Sequence, residues 1–202
     1  MSKTKQNTER VNAKKEAVYE AAAEVFARYG FRRTTMNDIA QGAEISRPAL
    51  YLMFDNKENL FCELAAYRLN QAVDQALSVL AGTGKLNTRF IEALLIFEKI
   101  YYEPIADSPH GGELMDTNQK LATEEMVKGF SKLVTAFAKV LKEAEKTGEA
   151  NFQNTPLTPK AFVELLFAAL GGIKKKASST TEFRKNTEQL AQIFLKTVAS
   201  QS

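Results

Sequence analysis

The stretch ISRPALYLMF, residues 45–54, decides how this chain is read. Ser46 is suited to cap a helix, and Pro48 falls in its first turn, where amides have no intrahelical partner and proline is tolerated. Leu50 and Phe54 lie one turn apart and, with Ile45, predict an inward face. Arg47, Pro48, Ala49, Tyr51 and Leu52 are then left facing outward. A tyrosine and a leucine on an outward face suit a surface that meets phosphates, sugars and thymine methyl groups.

Upstream, Val18, Ala22, Val25, Phe26 and Tyr29 keep the spacing of one helix face, and Gly30 supplies a stop. Thr35 is placed to cap a second, short helix whose first turn favours Asp38, with Met36, Ile39, Ala40 and Ala43 facing inward. Helices two and three, joined at Glu44-Ile45, have the helix-turn-helix arrangement, in which the second member enters the major groove. Downstream, Asp55 and Glu58 predict a capping box for a long fourth helix running to Gly82 or Gly84.

The rest reads as helix throughout. RFIEALLIFEKIYY, residues 89–102, is apolar on nearly every side and predicts a helix surrounded by others. DSPHGG, residues 107–112, breaks the pattern before an amphipathic helix from Met126 to Ala144, closed near Gly148. Thr158-Pro159 opens the next helix, ending at Lys174, Lys175 and Lys176, expected as its solvated end, and Phe183 to Val198 mark the last. The fold class is therefore all-α, with about nine helices expected. The expected organisation is a basic flexible arm at residues 1–16, a three-helix helix-turn-helix DNA-binding domain at 17–61, and a larger helical domain at 62–202, to which the family likeness given below assigns ligand binding and dimerisation.

Composition narrows the function. With 45% hydrophobic residues over 202 the chain can bury a substantial core, so it is a globular protein. Its net charge of +3 is concentrated near the start, where Lys3, Lys5, Arg10, Lys14 and Lys15 face Glu9 alone and leave the remainder almost neutral. Such an arm suits a polyanion. One cysteine, Cys62, and one histidine, His110, allow neither an internal disulfide nor a His/Cys zinc site within one chain, and neither metal nor cofactor is expected. Apolar runs are broken well before a spanning length, which predicts a cytoplasmic protein with no membrane partner. Asp107, Ser108 and His110 bring a nucleophile and a base close in sequence, but in a glycine- and proline-rich loop, so no enzyme is expected. A helical adaptor or ligand-binding protein that does not bind DNA is the competing reading.

Four motifs carry a family likeness. FARYGF at residues 26–31, TTMNDIA at 34–40, ISRPALYLMF at 45–54 and KENLF at 57–61 together resemble the TetR family of one-component bacterial transcriptional regulators. The resemblance implies a repressor of a double-stranded DNA operator, and its residue assignments follow. Thr35, Asn37, Tyr51 and the Lys57 ammonium would touch the DNA backbone. Arg47, Pro48 and Ala49 would lie at base edges, Arg47 being suited to a bidentate guanine contact and Leu52 to a thymine methyl. Two places depart from the family pattern. Glu44 stands where a turn glycine is usual, and Leu52-Met53 replace a polar or aromatic pair.

A single helix-turn-helix makes too few base contacts to find one site in a genome, which favours a homodimer on a palindrome. The resemblance implies that the last two helices form the interface, with Phe162, Leu166, Leu170, Leu190, Phe194 and Val198 as apolar stripes that the monomer core also claims. It further implies an effector cavity, for which Phe90, Leu94, Phe97, Tyr101, Met126, Phe130 and Phe167 are the candidates. An apolar lining with one phenol suits a small hydrophobic or aromatic molecule.

Overall fold

Gly30 sets where the first helix ends. Its φ of 78° lies in the left-handed region that glycine adopts without strain, and the chain makes only one more helical turn, to Arg33. The computed structural model describes residues 3–121, 123–153 and 155–200, with the backbone alone over residues 3–11. Among the described residues there are ten helices: α1 Lys3–Arg33, α2 Met36–Gly42, α3 Arg47–Tyr51, α4 Lys57–Leu80, α5 Leu86–Tyr101, α6 Glu103–Ala106, α7 Gly111–Lys120, α8 Glu124–Lys146, α9 Pro159–Lys176 and α10 Thr180–Thr197. The all-α expectation holds. The arm expected over residues 1–16 is drawn from Lys3 onward as the opening turns of α1, while Met1 and Ser2 lie outside the described residues.

The chain packs as two units. One comprises Met1–Tyr67 with Asp107–Thr123, the other Arg68–Ala106 with Glu124–Ser202. The first unit thus holds the expected residues 17–61 together with residues 62–67 of α4 and the whole of α7.

In the first unit α1 buries Val18, Tyr19, Ala22 and Phe26 against Ile39 and Ala40 of α2, Leu50 of α3, Phe54, and Leu60 and Phe61 of α4. Phe26, Phe31 and Phe61 form a mutual aromatic cluster with centroids 5.1–5.7 Å apart. Each fully buried phenylalanine contributes about 1.5–3 kcal/mol relative to exposure. The cap of α4 differs from expectation by one residue. Asn56, not Asp55, accepts from the amide of Asn59, and Asn59 Oδ1 accepts from the amide of Asp55. Asn and Asp both cap well, so the choice between adjacent candidates fell to the geometry of the preceding turn.

In the second unit α5 buries one face, with Leu86, Phe90, Ala93, Leu94, Phe97, Glu98 and Tyr101 buried, and is not enclosed on every side as expected: Glu92 and Lys99 are exposed and Ile91, Leu95, Ile96 and Ile100 only half-buried. α8 packs on α9, and α10 on both α5 and α9. Gly129 of α8 is a point of close approach, because a Cβ there would come within 2.8 Å of a Leu69 methyl. Thr158 and Ser179 cap α9 and α10 by accepting from Ala161 and Glu182 amides. Lys174 departs from the solvated end expected for it: its ammonium sits 4.2 Å over the Tyr102 ring, and burial depresses its pKa.

Candidate nucleic-acid interface

The interface is built by two caps and one turn. At the first cap, the Thr35 side chain accepts from the Asp38 amide at 3.2 Å and donates to Asp38 Oδ2 at 2.7 Å, while the Thr35 amide donates to the same carboxylate at 2.8 Å. This reciprocal box satisfies amides that helix starts leave open and holds Asp38 ionised, its carboxyl lowered by the bonds from Thr35. It leaves Asn37 exposed beside exposed Thr35.

Between α2 and α3 the chain turns at Glu44, the one non-glycine residue with positive φ among those described, at 54°. The turn has therefore kept the geometry that glycine suits and placed a glutamate in it. A short-range cost follows, since left-handed backbone disfavours a residue with a Cβ. The amides of Glu44 and Ile45 donate back to Gln41 and Ala40, which closes the turn.

At the second cap, Ser46 Oγ accepts from the Ala49 amide at 3.3 Å, with proline in the first turn as the sequence implied. Leu50 is fully buried and Phe54 nearly so, whereas Arg47, Pro48, Tyr51 and Leu52 are exposed and Ala49 half-exposed. Leu52 is 88% exposed, more than any other large apolar residue described. The Arg47 guanidinium lies 5.5 Å from the Tyr51 ring centroid and its Nη2 reaches the phenol oxygen at 3.5 Å, so the two side chains share one patch. Exposed Arg32 and Arg33 close the last turn of α1, with buried Thr34 between them and Thr35. Sequence reasoning passed over that pair, although their position beside a helix cap made them legible.

Lys57, at the start of α4, lies against the backbone that leads into the first cap. Its ammonium donates to the carbonyls of Phe31 at 2.8 Å and Thr34 at 2.9 Å, with the Arg32 carbonyl at 3.5 Å and the Phe31 ring centroid at 4.6 Å. Glu113 of α7 completes the same loop by accepting from the Arg32 amide at 2.7 Å. Ser108, weighed as a nucleophile, instead donates from Oγ to the Ala27 carbonyl at 2.9 Å, and its oxygen accepts from the His110 backbone amide, not from the imidazole.

In the second unit the candidate effector residues are brought together as aromatic core. Phe97 stacks on Tyr101 at 5.5 Å, Phe130 meets both edge-on, and Phe137 bridges Phe90 to Phe167 at 4.8 and 5.7 Å. Leu94 and Met126 are buried, while Phe130 keeps 37% exposure. The candidate dimer residues divide. Phe162, Leu166, Leu170 and Val198 are buried in the monomer's own core, and Leu190 and Phe194 are half-buried. The outward apolar residues on these helices are Leu165 and Ile193, which the sequence reading did not select. With Pro156, Leu157, Phe162 and Phe194 they border a cleft of about 380 Å³.

Comparison with known proteins agrees with this geometry. Residues 18–64 match the model described as bacterial regulatory proteins, tetR family. An uncharacterised HTH-type transcriptional regulator of Bacillus subtilis, YhgD, is 24% identical over 78% of this chain and 82% of its own length. The probable acrEF/envCD operon repressor of Escherichia coli is 42% identical, over 25% of this chain and 23% of its own. Among solved structures, SmeT, the repressor of the Stenotrophomonas maltophilia multidrug efflux pump SmeDEF, has the same fold, with a TM-score of 0.65 at 18% identity over 92% of this chain and 90% of that one. SmeT is also solved as a triclosan complex, with a TM-score of 0.62 at 17% identity over 93% and 92% of the two chains. No helix among the described residues is long and apolar enough to cross a membrane. The capped pair of short helices and their exposed edge lie within residues 18–64, the segment that matches the tetR family of bacterial regulatory proteins.

Proposed function

We propose that this regulator is a homodimeric repressor that binds a palindromic operator and leaves it when a small hydrophobic or aromatic molecule enters the second unit. The observation that carries the DNA reading is the uncovered edge from Arg47 to Leu52, set on a helix whose other side is fully buried. Such an edge has the chemistry of a groove reader: a guanidinium for guanine, a phenol for phosphate and a methyl-rich side chain for thymine. Thr35, Asn37, Arg32 and Arg33 flank it and are assigned to the DNA backbone, Pro48 and Ala49 to base edges. Two copies then read half-sites about 34–36 Å apart.

For the interface we assign Leu165 and Ile193 with the half-buried Leu190 and Phe194, since buried Phe162, Leu166, Leu170 and Val198 already serve the monomer. The effector is assigned to the aromatic cluster around Phe97, Tyr101 and Phe130, where one edge is open to solvent. The assignment of repression and release is supported by the repressor names of the Escherichia coli relative and of SmeT, and by the triclosan complex. Selection of bound duplexes from random DNA tests the reading: a palindrome supports it, and recovery of no preferred sequence refutes it. On the selected duplex, Arg47→Ala should cost about 1–3 kcal/mol and relax discrimination at one base pair per half-site.

A further inference from the structure

We propose that Phe130 is this chain's own occupant of the effector site: its ring fills the place against Phe97 and Tyr101 that a single-ring aromatic molecule takes, and such a molecule binds by displacing it. This rests on the effector reading above and deepens it, naming the side chain that moves and the size of ligand that replaces it. Phe97 and Tyr101 stack at 5.5 Å on α5, and Phe130 of α8 stands edge-on to both, at 6.0 and 5.7 Å. Aromatic pairs at such spacings are in direct contact, with nothing between them. A ligand that takes the edge-on place therefore has to replace the ring that holds it.

Of the three rings, Phe130 is the one placed to give way. It is 37% exposed, whereas Phe97 and Tyr101 are each 8% exposed, so solvent already reaches one side of it. Its own helix does not wall it in, because Val127 one turn earlier is exposed and Val134 one turn later only half-buried. Phe137 on the same helix shows the contrast: fully buried between Phe90 and Phe167, at 4.8 and 5.7 Å, it has no open side. The backbone beneath Phe130 is held in place. A Cβ on Gly129 would come within 2.8 Å of a Leu69 methyl, and Leu133 is fully buried. Displacement is then a change of rotamer and not a shift of α8, since a helix leaves phenylalanine two χ1 wells. The exchange is ring for ring. The incoming aromatic restores the edge-on contacts, and what it does not recover is the transfer of the Phe130 ring to water. Wild type therefore binds with its intrinsic affinity reduced by the fraction of molecules whose ring has swung out.

Fluorobenzene is the probe, titrated into full-length wild type and Phe130→Ala and followed by fluorine NMR. Truncation removes the ring that has to leave, so Phe130→Ala should bind about tenfold more tightly than wild type. Equal affinity, or weaker binding by the variant, overturns the proposal and leaves the effector reading standing. Binding to neither protein overturns both. A second variant reports where the ring goes, and decides alone if Phe130→Ala does not fold. The chain contains no tryptophan, so Phe130→Trp carries a single indole. Its emission should move to longer wavelength as fluorobenzene drives the indole into water. Emission unmoved at the highest probe concentration overturns the proposal.

Discussion

Glu98 supplies a pH dependence that can be worked from its surroundings. It sits on α5 facing α10, 7% exposed, with Oε1 accepting from Thr187 Oγ1 at 2.6 Å and Oε2 buried without a hydrogen-bond partner. Burial raises its pKa from 4.5 to about 7; the Thr187 bond opposes that rise, Glu103 adds to it, and Arg184 and Lys174 oppose it. In the unfolded chain the carboxyl releases its proton near 4.5, whereas the folded chain holds it to about 7. Between those values the folded state binds more protons, so stability falls as pH rises through this window and stays lower above it. At 1.36 kcal/mol per pH unit the full loss is about 3 kcal/mol. Glu98→Gln keeps the acceptor for Thr187 but cannot ionise. Urea unfolding followed by far-UV circular dichroism, run from acid to mildly alkaline pH on both proteins, isolates the ionisation as the pH-dependent part of their difference. Glu98→Gln should gain on wild type by about 3 kcal/mol between the two ends of the window. A difference that stays flat across the range would show that Glu98 ionises freely in the folded chain, and the burial argument would fail.

Glu44→Gly should stabilise the protein by about 0.5–1 kcal/mol in the same urea assay, because glycine adopts positive φ without the Cβ penalty, though with more chain entropy to lose. Lower stability would mean that the Glu44 side chain contributes more than its backbone costs. Ile193→Glu places a charge on the most exposed apolar residue of α10, at 59%, and should yield a monomer in sedimentation with unchanged helix content. A dimer of undiminished affinity would remove that face from the interface.

What was legible in the sequence was what neighbouring residues decide between themselves. The starts of α2 and α3 are set by Thr35 with Asp38 and by Ser46 with Pro48, all within one turn, and each is found where the residues imply. Glu44 stood out only through the family likeness, as a side chain where a turn glycine is usual, and its φ of 54° is the geometry that glycine suits. α6 and α7 were not. In α7 only Gly111 and Leu114 are buried, too sparse a pattern for periodicity, and the helix is held by Ser108 on Ala27 and Glu113 on Arg32, each pair 81 residues apart.

The same limit explains the divided interface residues and Lys57. Periodicity reveals that one side of a helix is covered, but Phe162 and Leu166 look identical whether their own chain or a second copy does the covering. A lysine at a helix start is likewise equally suited to a phosphate or to nearby carbonyls, and only the approach of the α1 end reveals that the Phe31 and Thr34 carbonyls accept from it. The outward edge of α3 escaped this ambiguity because it is defined by what fails to be covered: Leu50 is the buried residue of α3, Phe54 is buried just beyond it, and Arg47, Tyr51 and Leu52 are left exposed. Local constraint on a five-residue helix thus identifies its exposed residues more surely than it identifies any surface whose partner is distant in sequence.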